Sequence, residues 1–195
     1  MTRLPVGVVG VGALGRHHAR LYATVPAADL IGVYDASYEH ACTVATELGT
    51  RAFRDLNELV AACAALSVAV PTDKHAAVVT QLLSADRHVL VEKPLASSGE
   101  QGRALVTLAQ QRGLVLQVGH VEQYNPVISY LEKHLHAPRF IEAHRLAAFP
   151  PPRPGLPPRG TEVGVVLDLM IHDLDIVLHL VNSPVLTVDA VGIPV

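Results

Sequence analysis

Tryptophan is absent from this 195-residue chain, and aromatic residues make up only 4% of it. A core built on large rings is therefore excluded. Half of the residues are hydrophobic, and Val, Leu and Ala must do most of the packing. Cysteine is scarce as well. Cys42 and Cys63 stand alone without metal-type spacing, which excludes a disulfide framework or a zinc ribbon and reads as two buried thiols in a reducing cytosol. No apolar run approaches the roughly 20 residues of a membrane-spanning helix. Neither sign of charge dominates: 15 Lys and Arg stand against 18 Asp and Glu, a net charge of −3, so there is no field suited to nucleic acid or an anionic membrane. The chain enters an apolar stretch soon after Met1, leaving no room for a signal peptide. The expectation is a soluble cytoplasmic protein.

What the chain does have is glycine in a particular place. Gly10, Gly12 and Gly15 follow an apolar run over 4–9 and lead into a helical pattern (Ala13, Leu14, Ala19, Leu21). Strand, glycine turn and helix in that order form the context in which G-x-G-x-x-G signals dinucleotide binding. Gly10 serves a tight turn, Gly12 lets backbone N–H groups approach a pyrophosphate, and Gly15 lets the helix lie against the strand. Asp35 closes a second apolar strand about twenty residues past Gly15, where such folds place the acid that binds the adenosine ribose. No arginine occupies 36–38 to receive a 2′-phosphate, which favours NAD over NADP. A competing role for Asp35 is to cap the helix starting near Ser37.

Up to residue 118 short apolar runs alternate with helical patterns. Strands are expected over 6–10, 30–34, 66–70, 88–91 and 115–118, with a short one near Ala52. Helices are expected near 13–24, 37–48, 55–64, 73–84 and 98–111. Continuous apolar strands alternating with helices imply an α/β domain with a doubly wound parallel sheet, residues 1–120. Ligands on such sheets bind beyond the carboxyl ends of the strands. There lie Pro71, Thr72 and His75, then Glu92-Lys93-Pro94, then His120, Tyr124 and Asn125. Past Pro126 the pattern changes to a helix to about His136, a strand over 139–146, a proline-rich loop over 149–159, a long helix over 162–181 and a strand over 185–191. Two strands and two helices are too few for a free-standing domain. Residues 121–195 therefore read as an incomplete α+β domain, the start of an open antiparallel sheet.

Together these motifs resemble the Gfo/Idh/MocA oxidoreductase family. VVGVGALGRHHA at 8–19, VEKPL at 91–95, GHVEQYNP at 119–126 and VVLDLMIHDLDIVLHL at 165–180 carry the resemblance. In GHVEQYNP and DLMIHDLD it is most similar to the bacterial branch that oxidises the 3-hydroxyl of UDP-N-acetylglucosamine for lipid A amino-sugar synthesis. Family members continue through further strands of a large sheet that walls the substrate pocket and forms an oligomer interface. The resemblance therefore implies a C-terminally truncated chain, homo-oligomeric when full length.

The resemblance also implies roles. Lys93 donates to the reacting oxygen, Asp168 orients the imidazole or holds the sugar, and His172 takes the hydroxyl proton. Hydride transfer from a secondary alcohol needs such a base and such a donor. Cofactor contacts are expected from Gly10, Gly12, Ala13, Leu14, Gly15, Asp35, Pro71, Thr72, His75, Glu92 and Lys93. The sugar is expected to meet Lys93, His120, Tyr124, Asn125, Asp168 and His172, with Arg153 and Arg159 of the proline-rich loop paired to a diphosphate. A cis Lys93–Pro94 bond is expected by the same resemblance. His17 and His18 are read as approaching the pyrophosphate.

Other readings use the same residues. Asn125-Pro126 suits ordinary turn chemistry, and most loop arginines are simply solvated. Asp168, His172, Asp175 and His179 form one helical stripe of metal-ligand type, although one straight helix cannot wrap four ligands round an ion. A non-catalytic NAD-binding or regulatory module is the opposing functional class.

Overall fold

The computed structural model describes residues 2–148 and 163–193. These residues gather into two compact units, one holding residues up to Gly119 and also Asp168, the other running from His120 and resuming at Leu169.

The first unit is built on six strands: β1 (Leu4–Val9), β2 (Ala28–Tyr34), β3 (Arg51–Ala52), β4 (Ala65–Val68), β5 (His88–Val91) and β6 (Leu116–Val118). Every pairing is parallel, and the order is β3-β2-β1-β4-β5-β6. Five helices connect them: α1 (Ala13–Tyr22), α2 (Tyr38–Leu48), α3 (Leu56–Ala62), α4 (Thr72–Ser84) and α5 (Gly99–Arg112). The expected elements are all present, with ends displaced by a residue or two. Alternate residues of a strand face opposite sides of the sheet, and here both sides are dry. Val8 joins Val11, Ala19, Val33, Ala41 and Val44 in one buried cluster. Its neighbour Val9 joins Leu59, Leu66, Val68, Val79, Leu82 and Leu83 in the other. This two-sided burial is why the strands read as unbroken apolar runs. The strand order reverses between β1 and β4, and the loops after these two strands therefore part to form a crevice.

The first of those loops is shaped by its glycines. Gly10 has φ +81°, and a Cβ on it would lie 2.8 Å from the Ala69 carbonyl oxygen. A Cβ on Gly15 would fall 1.8 Å from the carbonyl oxygen of Gly10. The N-terminal turn of α1 thus rests directly on the end of β1.

The second unit contains a 3-10 turn (Val121–Tyr124), α6 (Pro126–His134) and α7 (Ile171–Val181). The long helix is regular from Ile171, and the preceding turn, Val166–Met170, which carries Asp168 of the first unit, is π-helical rather than α-helical. The strands expected over 139–146 and 185–191 are not formed as ladders among the described residues. Their apolar and β-branched content is suited to strand, but a strand is completed by hydrogen bonds to a neighbour. Here Phe140, Leu146, Leu186 and Val191 stay 81%, 94%, 91% and 98% exposed.

Cys63 is buried, and burial pushes its thiol up to about 12. Cys42 is only partly buried, on α2, contrary to the expectation of two buried thiols. No helix among the described residues is long and apolar enough to cross a membrane.

Because backbone carbonyl, not a yielding side chain, opposes a Cβ at Gly15, Gly15→Ala is expected to destabilise the first unit by on the order of 3 kcal/mol or more. Denaturant unfolding checks this, and a loss below about 0.5 kcal/mol would show that α1 can lift from β1 freely.

Candidate functional site

Two cavities open in the first unit beyond the carboxyl ends of its strands. One, of about 480 Å³, is lined by Gly12, Ala13, Leu14, Pro71, Thr72, His75, Glu92, Lys93, Pro94 and Asp168, with Ala69, Val70 and Val163. The other, of about 410 Å³, is mostly apolar, with Tyr34, Leu56, Ala77 and Val78 among its walls and Asp35 and Lys74 at its polar edge. Gly12, Ala69, Val70 and Pro71 belong to both, so the two adjoin at the crevice between β1 and β4. The first is the more polar of the two.

The helix ends around this crevice are unusual. Ser37, Asp55, Ser98 and Asn125 cap α2, α3, α5 and α6 with their side chains. The N-caps of α1 and α4 are Gly12 and Pro71, which offer none. Both of these N-termini border the polar cavity. Helix N-termini carry unpaired N–H groups and partial positive charge, which suit phosphate. A Cβ on Gly12 would meet no atom within 4 Å. The fold gives a reason for Gly10 and Gly15 but none for Gly12, whose bare backbone faces the open cavity. These residues fit a dinucleotide.

Asp35 ends β2, and its carboxylate accepts from Val11 N–H at 2.9 Å and Ser37 N–H at 2.9 Å. It does not cap α2; Ser37 does. The acid instead ties the glycine loop to the start of α2, and its oxygens keep lone pairs toward the apolar cavity. His75 lies beneath the surface, 1% exposed, with Nδ1 2.7 Å from the Pro94 carbonyl and Nε2 2.9 Å from that of Val70. It joins the loops after β4 and β5. The Lys93–Pro94 bond is cis.

Lys93 follows β5, and its ammonium donates to the Asp168 carbonyl at 2.8 Å and to Asp168 Oδ1 at 3.0 Å. Asp168 comes from the π-helical turn, a feature often found at functional positions. Glu92, beside Lys93, is buried, and its Oε1 lies 2.8 Å from His18 Nε2. Its other oxygen accepts weakly from Lys93 N–H at 3.3 Å. Burial alone would raise this carboxyl, but the His18 hydrogen bond and charge, with those of Lys93, outweigh it and hold Glu92 below the ordinary range. His18, read as approaching the pyrophosphate, is paired here with Glu92, which lines the same cavity. The two are 74 residues apart, and no local spacing announces the pair.

Within the second unit, Gln123 donates to Asp175 at 2.8 Å, and His120 Nδ1 stands 3.7 Å from the other oxygen of that carboxylate. Tyr124 is 75% exposed. The Asn125 side chain accepts from Val127 N–H at 3.0 Å, as turn chemistry requires. His172 lies in the first turn of α7. Asp173 is held in a bidentate pair by Arg145, at 2.8–3.0 Å. The Arg145 hydrogen bonds, more than its charge, keep the Asp173 carboxyl below its usual range against partial burial. His179 meets Glu132 at 2.5 Å. The ionisable residues of this apolar helix thus have protein partners of their own. The metal stripe is not assembled: Asp168, Asp175 and His179 turn to different groups, and among the described residues no three ligand side chains converge. Arg153 and Arg159 lie outside the described residues.

A family model for oxidoreductases of the Gfo/Idh/MocA type, with an NAD-binding Rossmann fold, matches residues 4–120. A UDP-N-acetylglucosamine 3-dehydrogenase of Acidithiobacillus ferrooxidans is 42% identical over 194 residues, which cover 99% of this chain and 59% of that protein. A solved structure of that enzyme matches with TM-score 0.90, covering 100% of this chain and 62% of the other. A glucose-6-phosphate 3-dehydrogenase of Bacillus subtilis is 31% identical over 65% of this chain and 36% of its own length. GenD2 of gentamicin A biosynthesis, solved in complex with NAD, is 34% identical with TM-score 0.66, covering 69% of this chain and 39% of that one. The chain spans less than two thirds of the length of these relatives.

Glu92 yields a pH prediction. Its folded pKa lies below the unfolded value of about 4.3, so its stabilisation is present above that pH and is lost as the pH falls through the folded value. Glu92→Gln is expected to lower Tm at neutral pH, with the gap to the parent closing below about pH 4. A gap independent of pH in thermal melts would deny the contribution of the ionised Glu92 carboxylate.

Proposed function

Since the chain belongs to the Gfo/Idh/MocA oxidoreductase family, we propose that it serves NAD-dependent oxidation of a sugar ring hydroxyl, the 3-hydroxyl of UDP-N-acetylglucosamine. One observation carries the reading. Lys93 stands in the same cavity as the uncapped N-termini of α1 and α4, so a cationic amine sits where a dinucleotide's phosphates are also welcome.

NAD supplies the hydride acceptor. Ala13, Leu14 and the N–H groups opening α1 and α4 hold its pyrophosphate, with Pro71 and Thr72 forming the far wall. Asp35 accepts from the ribose hydroxyls and repels a 2′-phosphate, which favours NAD over NADP. Lys93 donates to the alcohol oxygen and steadies the negative charge that develops as hydrogen leaves carbon. Asp168 keeps the ammonium aimed. By family resemblance His172 accepts the hydroxyl proton, which suits an imidazole whose reference pKa is near neutral. The same resemblance gives His120, Tyr124, Asn125 and Arg159 to the sugar nucleotide. The glucosamine substrate is supported by the relative that shares 42% identity over nearly all of this chain.

Calorimetry with NAD, followed by addition of UDP-N-acetylglucosamine while NADH absorbance is read, tests the proposal. Lys93→Met is expected to lower turnover by about 10²-fold or more while NAD affinity holds; retained turnover would remove Lys93 from the chemistry. Gly12→Val is expected to weaken NAD by roughly tenfold or more, since the side chain enters the phosphate path. The same variant should melt near the parent, and unchanged NAD affinity would show that the dinucleotide does not cross Gly12.

A further inference from the structure

Glu92 lines the cofactor cavity and takes no part in the proton or hydride transfer proposed above, yet it adjoins Lys93 in sequence and is 8% exposed. Its seat is formed by three separate elements. His18 of α1 takes Oε1 at 2.8 Å, and Lys93 N–H faces Oε2 at 3.3 Å. From the end of β6 comes Gly119, where a Cβ would stand 3.3 Å from Oε2 and 3.4 Å from Oε1. The carboxylate is closed in on that side and anchored on the other. Lys93 meanwhile sends its ammonium to the backbone and carboxylate of Asp168, at 2.8 and 3.0 Å. Two carboxylates are therefore within electrostatic reach of one amine, and the amine is bonded to only one of them.

We infer that His18 is a positioning residue for Lys93: by binding the Glu92 carboxylate it keeps that group from capturing the ammonium, and so leaves the amine to Asp168 and to the reacting oxygen. The physical basis is competition. A buried carboxylate seeks donors, because unmet hydrogen bonds are costly away from water. With the imidazole gone, the donor nearest in sequence is Lys93. An ammonium held by two anions is harder to deprotonate and is drawn from its aim. The depressed Glu92 titration agrees with the pairing. His18 also lies on the helix whose N-terminus borders the cofactor cavity, so α1 serves both cofactor and lysine. The inference rests on the reading of Lys93 as the group that meets the reacting oxygen.

The test reads the amine directly. Trace acetylation of the intact protein with isotopically labelled acetic anhydride, analysed by mass spectrometry, gives the reactivity of Lys93 against Lys74 and Lys133, the other lysines of the chain. His18→Leu keeps bulk and removes the donor; His18→Gln keeps an N–H donor. Lys93 reactivity relative to the reference lysines is expected to fall by roughly tenfold in His18→Leu. It should stay near the parent in His18→Gln, and return in the double variant His18→Leu with Glu92→Gln, which removes the competing charge. Should His18→Leu fail to fold, His18→Asn, too short to hold Glu92, takes its place. A merely structural His18 would lower Tm in the donor-free variant without moving Lys93 reactivity, and that result overturns the inference. No turnover is needed for this readout, so failure of the proposed reaction and failure of the inference are separately visible.

Discussion

The contact between the first turn of α1 and the carbonyl of Gly10 governs the whole site. The helix can approach only because residue 15 has no side chain, and the loop can turn only because residue 10 accepts positive φ. That approach puts an uncapped helix N-terminus at the crevice and leaves Gly12 with its backbone bare. It also fixes the rest of α1, so that one turn further His18 arrives at Glu92 on the end of β5. Cofactor loop and lysine loop are thus referred to one rigid helix. A small displacement of α1 would be felt at both.

Charge is handled differently in the two units. In the first, Glu92 is buried against His18, and the half-buried Lys93 and Asp168 pair beside it. Desolvation makes each such charge expensive unless a partner is present, and here the partners are drawn from distant parts of the chain. In the second, the pairs of α7 with Arg145, Gln123 and Glu132 secure a helix to its neighbours. They act as ties and account for most of the ionisable residues on an apolar helix without invoking a ligand.

What could be read from the residues follows from range. The parallel sheet was legible because burial on both faces writes itself into each strand as a continuous apolar run, and the glycine turn because its geometry is local. The rim residues Pro71, Glu92 and Lys93 were legible because topology alone places strand ends together. The pairing of His18 with Glu92 was not legible because the two are 74 residues apart, and proximity of that kind leaves no periodic trace. The stretches 139–146 and 185–191 have strand composition without strand pairing, since a ladder depends on a neighbour and not on the segment itself. Asp35 was legible as an acid at the right distance, whereas its hold on Val11 N–H became visible only with the loop in place.

The two cysteines give the chain a practical property. A thiol raised to about 12 and packed out of contact with solvent remains protonated under ordinary labelling conditions, where only the thiolate reacts. Cys63 is then silent, and Cys42, on the helix that follows Asp35, is left as the single addressable sulfur. A thiol-directed dye or spin label is therefore steered to one known position on α2 in an otherwise unaltered, tryptophan-free chain.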